Sequence, residues 1–377
     1  MGGARGHRAR PLEWMVEKLI FLVSLSAILL VLLIFLFVGG EALPVFLGKT
    51  NSAAVRRVIP AAELDRMSPK EIREYLDLTE KEYTEFDNET IRLLMEVREE
   101  AAEGGTEDKD ARINTAEWRY MIRPYQWSGY DRPVYIWQPV GEIHKYNIVP
   151  LVVGSLKVSL FALVLSLPVA IGAALYVSQL ARPRWREVLK PALELLAGIP
   201  SVVLGFFALI VLASVLQRVF GYGTRLNAFL AGVALSLAVI PLVFSIAEDA
   251  LSSVPSAYTQ AALALGASKA QAAWQIVLPA ALPGVFAAAV LGFGRALGET
   301  MIVLMVSSAS VMSWSLFDPA RPITATIAAE MAEAVYGGHH YRILFMLGTV
   351  LFTFTFFLNV AGGVVIHRLK ARVEGKA

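Results

Sequence analysis

The sequence predicts an all-α polytopic membrane protein, and three observations carry that expectation. Of 377 residues, 56% are apolar and only 18% charged, where soluble chains have about 45–50% and about 25%. Six apolar runs are long enough to cross a bilayer as helices, which takes roughly 20 residues. Basic residues cluster in the segments that would lie on one side of those six spans.

The spans fall near Leu19–Val38, Leu151–Leu180, Pro191–Leu216, Leu226–Ala247, Gly284–Ser307 and Ile343–Ile366. The first follows Arg5, Arg8 and Arg10, as a secretory signal would. Its apolar run is too long for one, and Gly39-Gly40-Glu41-Ala42-Leu43 is a poor small-x-small cleavage site, so it reads as an uncleaved anchor. Pro168, Pro200 and Pro241 are expected to kink their helices, with neighbouring groups satisfying the freed carbonyls. Lys157 is expected to snorkel to the interface, and Glu194 to be a hydrated helix-end residue.

Orientation follows from the basic loops. Arg5, Arg8, Arg10 and Lys18 precede the first span; Arg182, Arg184, Arg186 and Lys190 join the second to the third; Arg368, Lys370, Arg372 and Lys376 follow the last. Six spans put all three on one face, so both termini are expected to be cytoplasmic. The chain divides into a tail and first span (1–40), an extracytoplasmic, partly helical insert (41–147) and a core with five spans (148–377), which contains a cytoplasmic loop at 248–283. In the insert, Ser68-Pro69-Lys70-Glu71 is a capping box with Pro at the first helical position, and Thr79-Glu80-Lys81-Glu82 repeats it. Ile91, Leu94, Met95 and Val97 fit one helix face running to Gly104-Gly105. Trp118, Tyr120, Tyr125, Trp127, Tyr130, Tyr135 and Trp137 divide between a small core and the headgroup level.

Several function classes are excluded. A net charge of +2 gives no basic footprint for nucleic acid. The absence of cysteine removes thiol and disulfide chemistry. His339-His340 lacks nearby ligand spacing and reads as surface histidine, so no metal is assigned. Gly48-Lys49-Thr50 resembles the end of a P-loop, but Leu43 stands where its first Gly belongs, so the chain has no cofactor of its own.

Two segments carry the functional reading. In the cytoplasmic loop, Gln260-Ala261-Ala262 is followed by Gly266 and, after nine residues, by Ile276-Val277-Leu278-Pro279. Ala-rich sequence favours helix and Gly266 breaks it. Ser268 with Gln271 can cap a second helix, ended by Pro279 and Pro283. In the fifth span, Gly294-Arg295-Ala296-Leu297-Gly298-Glu299-Thr300 places an Arg and a Glu at i and i+4 on one helix face. An Arg at mid-membrane costs roughly 2.5–3.5 kcal/mol and needs compensation. The pair could neutralise itself inside the bundle, or line a path in which the guanidinium fork meets an oxyanion. Gly292, Gly294, Ala296 and Gly298 permit close helix approach.

The loop resembles the EAA loop of ABC-importer permeases, Glu-Ala-Ala-x3-Gly-x9-Ile-x-Leu-Pro, at every defined position but the first, where Gln260 replaces the acid. That likeness implies a coupling helix resting on a separate ATPase subunit, with Gln260, Ala261, Ala262, Gly266, Ile276, Leu278 and Pro279 at the contact. Arg-Ala-Leu-Gly-Glu-Thr, with Ala197-Gly198-Ile199-Pro200-Ser201 and Glu248-Asp249-Ala250-Leu251, is similar to the phosphate permease subunits PstC and PstA. Met301, Thr324–Ala334 and the Phe-rich last span lean toward PstC. The similarity runs from about Pro150 to Leu369. It implies a substrate path at Arg295, Glu299 and Thr300 and a PstA-like sister permease. It also implies a PstB-like ATPase dimer that holds the ATP and Mg, and a PstS-like phosphate-binding protein, for which the insert is the natural dock. A permease for molybdate, sulfate or phosphonate, and a membrane sensor, are the alternatives.

Overall fold

The computed structural model describes residues 11–52, 59, 61–76, 78–103, 110, 113–141 and 143–373. Arg5, Arg8, Arg10, Gly104-Gly105 and Lys376 of the expectations above lie outside them. Helix α1 (Pro11–Phe46) opens the chain. The insert follows with a 3-10 turn (Ala61–Arg66), α2 (Pro69–Leu76), α3 (Glu80–Glu85), α4 (Asn88–Glu103) and α5 (Trp118–Ile122). A short antiparallel pair, β1 (Trp137–Gln138) and β2 (Lys145–Tyr146), closes it in the register Trp137↔Tyr146.

The core begins with α6 (Val149–Leu175), which a π-turn extends to Leu180. Next come α7 (Pro183–Ala197), then α8 (Ser201–Phe207) and α9 (Ala213–Phe220) joined by a π-turn, then α10 (Ala228–Ser252). The loop contains α11 (Ser256–Ala264), α12 (Lys269–Ala272), a π-turn at Ala273–Val277 and α13 (Leu278–Ala280). Helices α14 (Leu282–Gly298), α15 (Met301–Val306), α16 (Ile323–Glu330) and α17 (His339–Val373) complete the chain.

Among the described residues five helical stretches have the length and apolarity to cross a membrane, and a sixth is reached when Lys269–Ala280 and Leu282–Gly298, joined across a 70° bend, are taken as one span. Two expected spans are redrawn. The third starts at Ser201, not Pro191, because Gly198-Ile199-Pro200 interrupts the helix, and Pro200 acts as the cap of α8. What precedes it is a separate amphipathic helix, α7. The fifth does not run to Ser307: α14 stops at Gly298, α15 adds one and a half turns, and residues 307–322 run without helix. Pro168 and Pro241 lie inside unbroken α6 and α10.

Small residues decide how closely the core helices pack. Gly232 of α10 leaves room for the Phe161 ring, Gly292 of α14 for Val243, and Gly284 for Ala250; an added methyl would stand 2.4, 2.6 and 2.4 Å from those side chains. Such contacts let van der Waals packing hold helices together where lipid is as apolar as Leu. Helix α1 keeps a broad exposed apolar surface and leans on α17 through Phe35–Phe352 and Phe37–Phe345 ring pairs.

The insert is in two parts. Leu64, Ile72, Tyr75, Ile91 and Met95 form a small core of their own. Leu94 and Val97, expected on the same face, are exposed, because only Ile91 and Met95 point at α2 and the 3-10 turn. Both capping boxes form: Ser68 and Glu71 exchange bonds of 2.7 and 3.3 Å, and Thr79 and Glu82 do the same at 2.8 and 3.3 Å. These bonds hold the Glu71 and Glu82 carboxyls below the usual carboxylate range. The second part packs on the membrane core: Trp137, Tyr146, Met121 and Ile148 share one cluster with Ala42, Val45, Leu151, Ile343 and Leu347. Trp127 is buried, with the Lys145 ammonium 5.3 Å over its ring.

The tight crossing of α14 on α10 makes a specific prediction. Gly284→Ala forces its methyl into Ala250, and overpacking of this kind costs about 1–3 kcal/mol. Gly298→Ala meets nothing within 4 Å. The first substitution is expected to lower the thermal midpoint of the purified protein in detergent and the second to leave it unchanged.

Candidate functional site

The two segments singled out by sequence form two sites at different depths of the bundle. At the first, α14 ends on Gly298, and Glu299 caps it in an extended conformation (φ −69°, ψ 130°). Glu299 is therefore not on the helix face of Arg295, as the i, i+4 spacing predicts, yet its Oε2 still lies 3.5 Å from an Arg295 guanidinium nitrogen. The two partners differ sharply in environment: the Glu299 side chain is 8% exposed, that of Arg295 51%. At 3.5 Å the contact is longer than the roughly 2.7–2.9 Å of a close charge-assisted bond. Most of the five guanidinium donors are left for another acceptor. The Glu299 carbonyl accepts the Thr324 hydroxyl at 2.9 Å. Thr300 begins α15, where its carbonyl takes the Leu304 N–H at 2.9 Å and its hydroxyl donates to the Gly298 carbonyl at 3.3 Å.

Arg295 opens onto a groove of about 450 Å³ between α14 and α17, floored by Gly294, Gly298 and Gly348 and walled by Phe352, Thr355 and Asn359. The four small residues of this segment thus split in role. Gly292 and Ala296 are buried toward the core, whereas Gly294 and Gly298 keep the groove open.

The second site is the loop. Gly266 turns the chain with φ +86°, a conformation that is easy only for glycine. Ser268 and Gln271 form the expected capping box at 2.8 and 3.2 Å. Gln260, Ala261 and Pro279 are exposed, Ala262 is buried and Leu278 half-buried. Tyr258, Leu265, Trp274 and Ile276 add an exposed apolar rim. Pro279 does not end the second helix. It lacks an N–H and crowds the carbonyl four residues back, so the preceding turn widens to a π-turn, and the chain bends one residue after α13, at Ala281.

Glu248, just ahead of the loop, is 1% exposed and ties α7 to α10. It accepts from Arg186 at 3.0 Å, Lys190 at 2.7 Å and Ser252 at 2.9 Å. Its hydrogen bond raises the Lys190 ammonium above its ordinary value. The contribution of a raised lysine is complete below its unfolded pKa of about 10.4 and fades only as pH rises through the folded one, so this tie is insensitive to pH over the neutral range.

Three residues are placed otherwise than expected, and one was not singled out. Lys157 does not snorkel. It is 8% exposed, and its ammonium donates to the Ser313 and Ser315 carbonyls at 2.9 and 2.8 Å. His339-His340 is not a surface pair: the His340 ring stacks on Tyr146, and His339 meets His144 edge-on at 4.9 Å. Glu330 is buried beneath the insert, accepts from Trp137 at 3.1 Å and Arg321 at 2.9 Å, and lies 3.5 Å from His340. A Glu following the apolar run Ile327-Ala328-Ala329 was the available signal. Among the described residues no group of three or more His, Asp or Glu is arranged to hold a metal.

Six spans, an exposed loop with an inward elbow and an open groove carrying an arginine define a transport permease. Residues 158–372 match the family of binding-protein-dependent transport system inner membrane components. The phosphate transport system permease protein PstC of Xylella fastidiosa (strain 9a5c) is 36% identical over 261 residues, 63% of this chain and 78% of that protein. PstC of Pasteurella multocida is 32% identical over 64% and 80%. The probable ABC transporter permease YqgH of Bacillus subtilis is 35% identical over 58% and 72%. The chain belongs to this family of multi-pass inner-membrane permeases, in its PstC-type branch.

Lys157 supplies the prediction for this region. Lys157→Met keeps the length of the side chain but takes the buried donor away from the half-buried Ser313 and exposed Ser315 carbonyls, at about 1 kcal/mol for each lost bond. Amide hydrogen exchange across residues 307–322 should accelerate relative to the unaltered protein, with exchange in α10 unchanged.

Proposed function

We propose that the chain is the channel-forming subunit of an ATP-driven importer of inorganic phosphate. In this reading it pairs with a PstA-like permease and receives substrate from a PstS-like binding protein. A PstB-like ATPase dimer drives it; that dimer alone binds ATP with Mg and hydrolyses the ATP. Both termini and the loop face the cytoplasm and the insert faces outward. The exposed basic residues Arg182 and Arg184, on the loop side, support this orientation. The observation that carries the proposal is Arg295: a half-exposed guanidinium beside a buried carboxylate, on an open groove between two membrane helices. A fixed positive fork suits phosphate oxygens, and Glu299 moderates it so that the anion can leave. Thr300 stands at the helix break beside them.

The drive is alternating access. A ligand or partner shifts a conformational equilibrium only through contacts that differ between the states. The exposed residues Gln260, Ala261, Gly266, Ile276 and Pro279, with Ala262 and Leu278 behind them, are where the ATPase subunits make those contacts. Movement there passes through the elbow at Ala281 into α14 and Arg295.

The deciding experiment is uptake of labelled phosphate by the reconstituted complex with its binding protein. Competition by excess molybdate, sulfate or phosphonate that matches unlabelled phosphate would transfer the assignment to another oxyanion. Arg295→Lys keeps the charge but loses the planar fork, and uptake should fall roughly tenfold, which corresponds to about 1.4 kcal/mol; undiminished uptake rejects the role. Gly266→Asp places a side chain and a charge at φ +86° on the exposed turn. It should leave ATP hydrolysis measurable while uptake collapses, and a fully active Gly266→Asp complex refutes the coupling role.

A further inference from the structure

The groove beside Arg295 has a second wall, and one residue on it is out of place chemically. Helix α17 presents Phe352, Phe354, Phe356, Phe357 and Val360 as exposed apolar side chains. Thr355 and Asn359 interrupt them and line the groove. The Thr355 hydroxyl is occupied within its own helix, donating to the Leu351 and Phe352 carbonyls at 3.0 and 2.9 Å. The Asn359 carboxamide is exposed and has no hydrogen-bond partner among the described residues. It faces Gly294 across the groove: a methyl on that glycine would lie 3.8 Å from Asn359 Oδ1 and 4.0 Å from Nδ2. Gly294 is the neighbour of Arg295 in α14, so the amide and the guanidinium look into the same space.

An amide left unpaired among apolar side chains is unfavourable, so its position calls for a partner from outside the chain. The chemistry of the groove says which kind. A guanidinium fork engages two oxygens of a tetrahedral oxyanion and leaves the others unserved. A carboxamide supplies two donors and one acceptor without adding charge. A protonated phosphate offers both bare oxygens and a hydroxyl, and so can use the donor and the acceptor together. A second cation in this place would hold the anion too firmly for transport. We propose that Asn359 is a second contact for the transported oxyanion, making α17 the wall of the path opposite Arg295. The inference rests on the reading of Arg295 as a path residue.

The absence of cysteine makes the test direct. Asn359→Cys, Arg295→Cys and Phe357→Cys chains are each assembled into the complete reconstituted complex with its partners. They are treated with an anionic, membrane-impermeant methanethiosulfonate, and the mass of this chain is followed during turnover. The N359C chain should label, and inorganic phosphate at about ten times its half-saturating concentration should slow labelling about tenfold; the F357C chain should stay unlabelled. A parallel Asn359→Leu complex should retain its partner subunits on purification and lose most of its phosphate uptake.

Labelling of R295C but not of N359C overturns the role of Asn359 and leaves Arg295 standing. Absence of labelling in both removes the path reading and this inference with it. Labelling of N359C that phosphate does not slow, full uptake by Asn359→Leu, or loss of the partner subunits from that complex each assigns Asn359 to something other than the anion.

Discussion

A chain surrounded by hydrocarbon must satisfy its own backbone polar groups, and among the described residues after Val149 the longest departure from regular helix is residues 307–322. Everything around that stretch is arranged to hold it. Lys157 donates to two of its carbonyls, Ala228 and Phe229 donate their N–H groups to the Asp318 and Leu316 carbonyls at 3.1 and 2.7 Å, and Ser155 accepts the Ile323 N–H at 2.9 Å. Ser308 returns a bond to the Leu226 carbonyl at 3.1 Å, and Ser313 pairs with Asp318. Gly154 lets the backbone of Arg321 approach α6, where a methyl would stand 3.0 Å from its carbonyl oxygen. Non-helical backbone against membrane helices is tolerated only when protein groups replace water, and α6, α10 and the turn ahead of α10 contribute those groups here.

That constraint explains why the Arg295–Glu299 pair can exist. Glu299 sits at the break that leads into the irregular stretch, and its carbonyl is taken by Thr324 from the far side of it. A buried carboxylate with a half-exposed partner is costly unless its surroundings are fixed. A similar logic holds at the other end of the bundle, where Glu248 gathers Arg186, Lys190 and Ser252 and locks α7 beside the start of the loop.

Much of this was legible in the sequence because it depends on local pattern. Apolar runs located the membrane helices, Ser268 with Gln271 and Thr79 with Glu82 announced their caps, and Gly266 marked a turn that demands positive φ. The features that escaped depend on partners distant in sequence. Hydropathy sums over Pro191–Leu216 and Gly284–Ser307 without registering where helix direction changes, so α7 was merged into a span and the break at Glu299 was missed. Lys157 looked like a snorkelling residue because its acceptors lie over 150 positions away. Glu330 drew no notice, since Trp137 and His340 come to it from separate parts of the chain.

The 70° elbow at Ala281 has a mechanical meaning. A rigid rod that is bent near one end converts a push on its short arm into a swing of its long one. From Leu282 to Arg295 the long arm measures about 20 Å at 1.5 Å per residue, so a tilt of about 10° displaces the arginine by roughly 3 Å, comparable to one hydrogen-bond length. In the proposed mechanism, a nudge too small to disturb any helix at the loop is therefore large enough to make or break the contact between Arg295 and the ion.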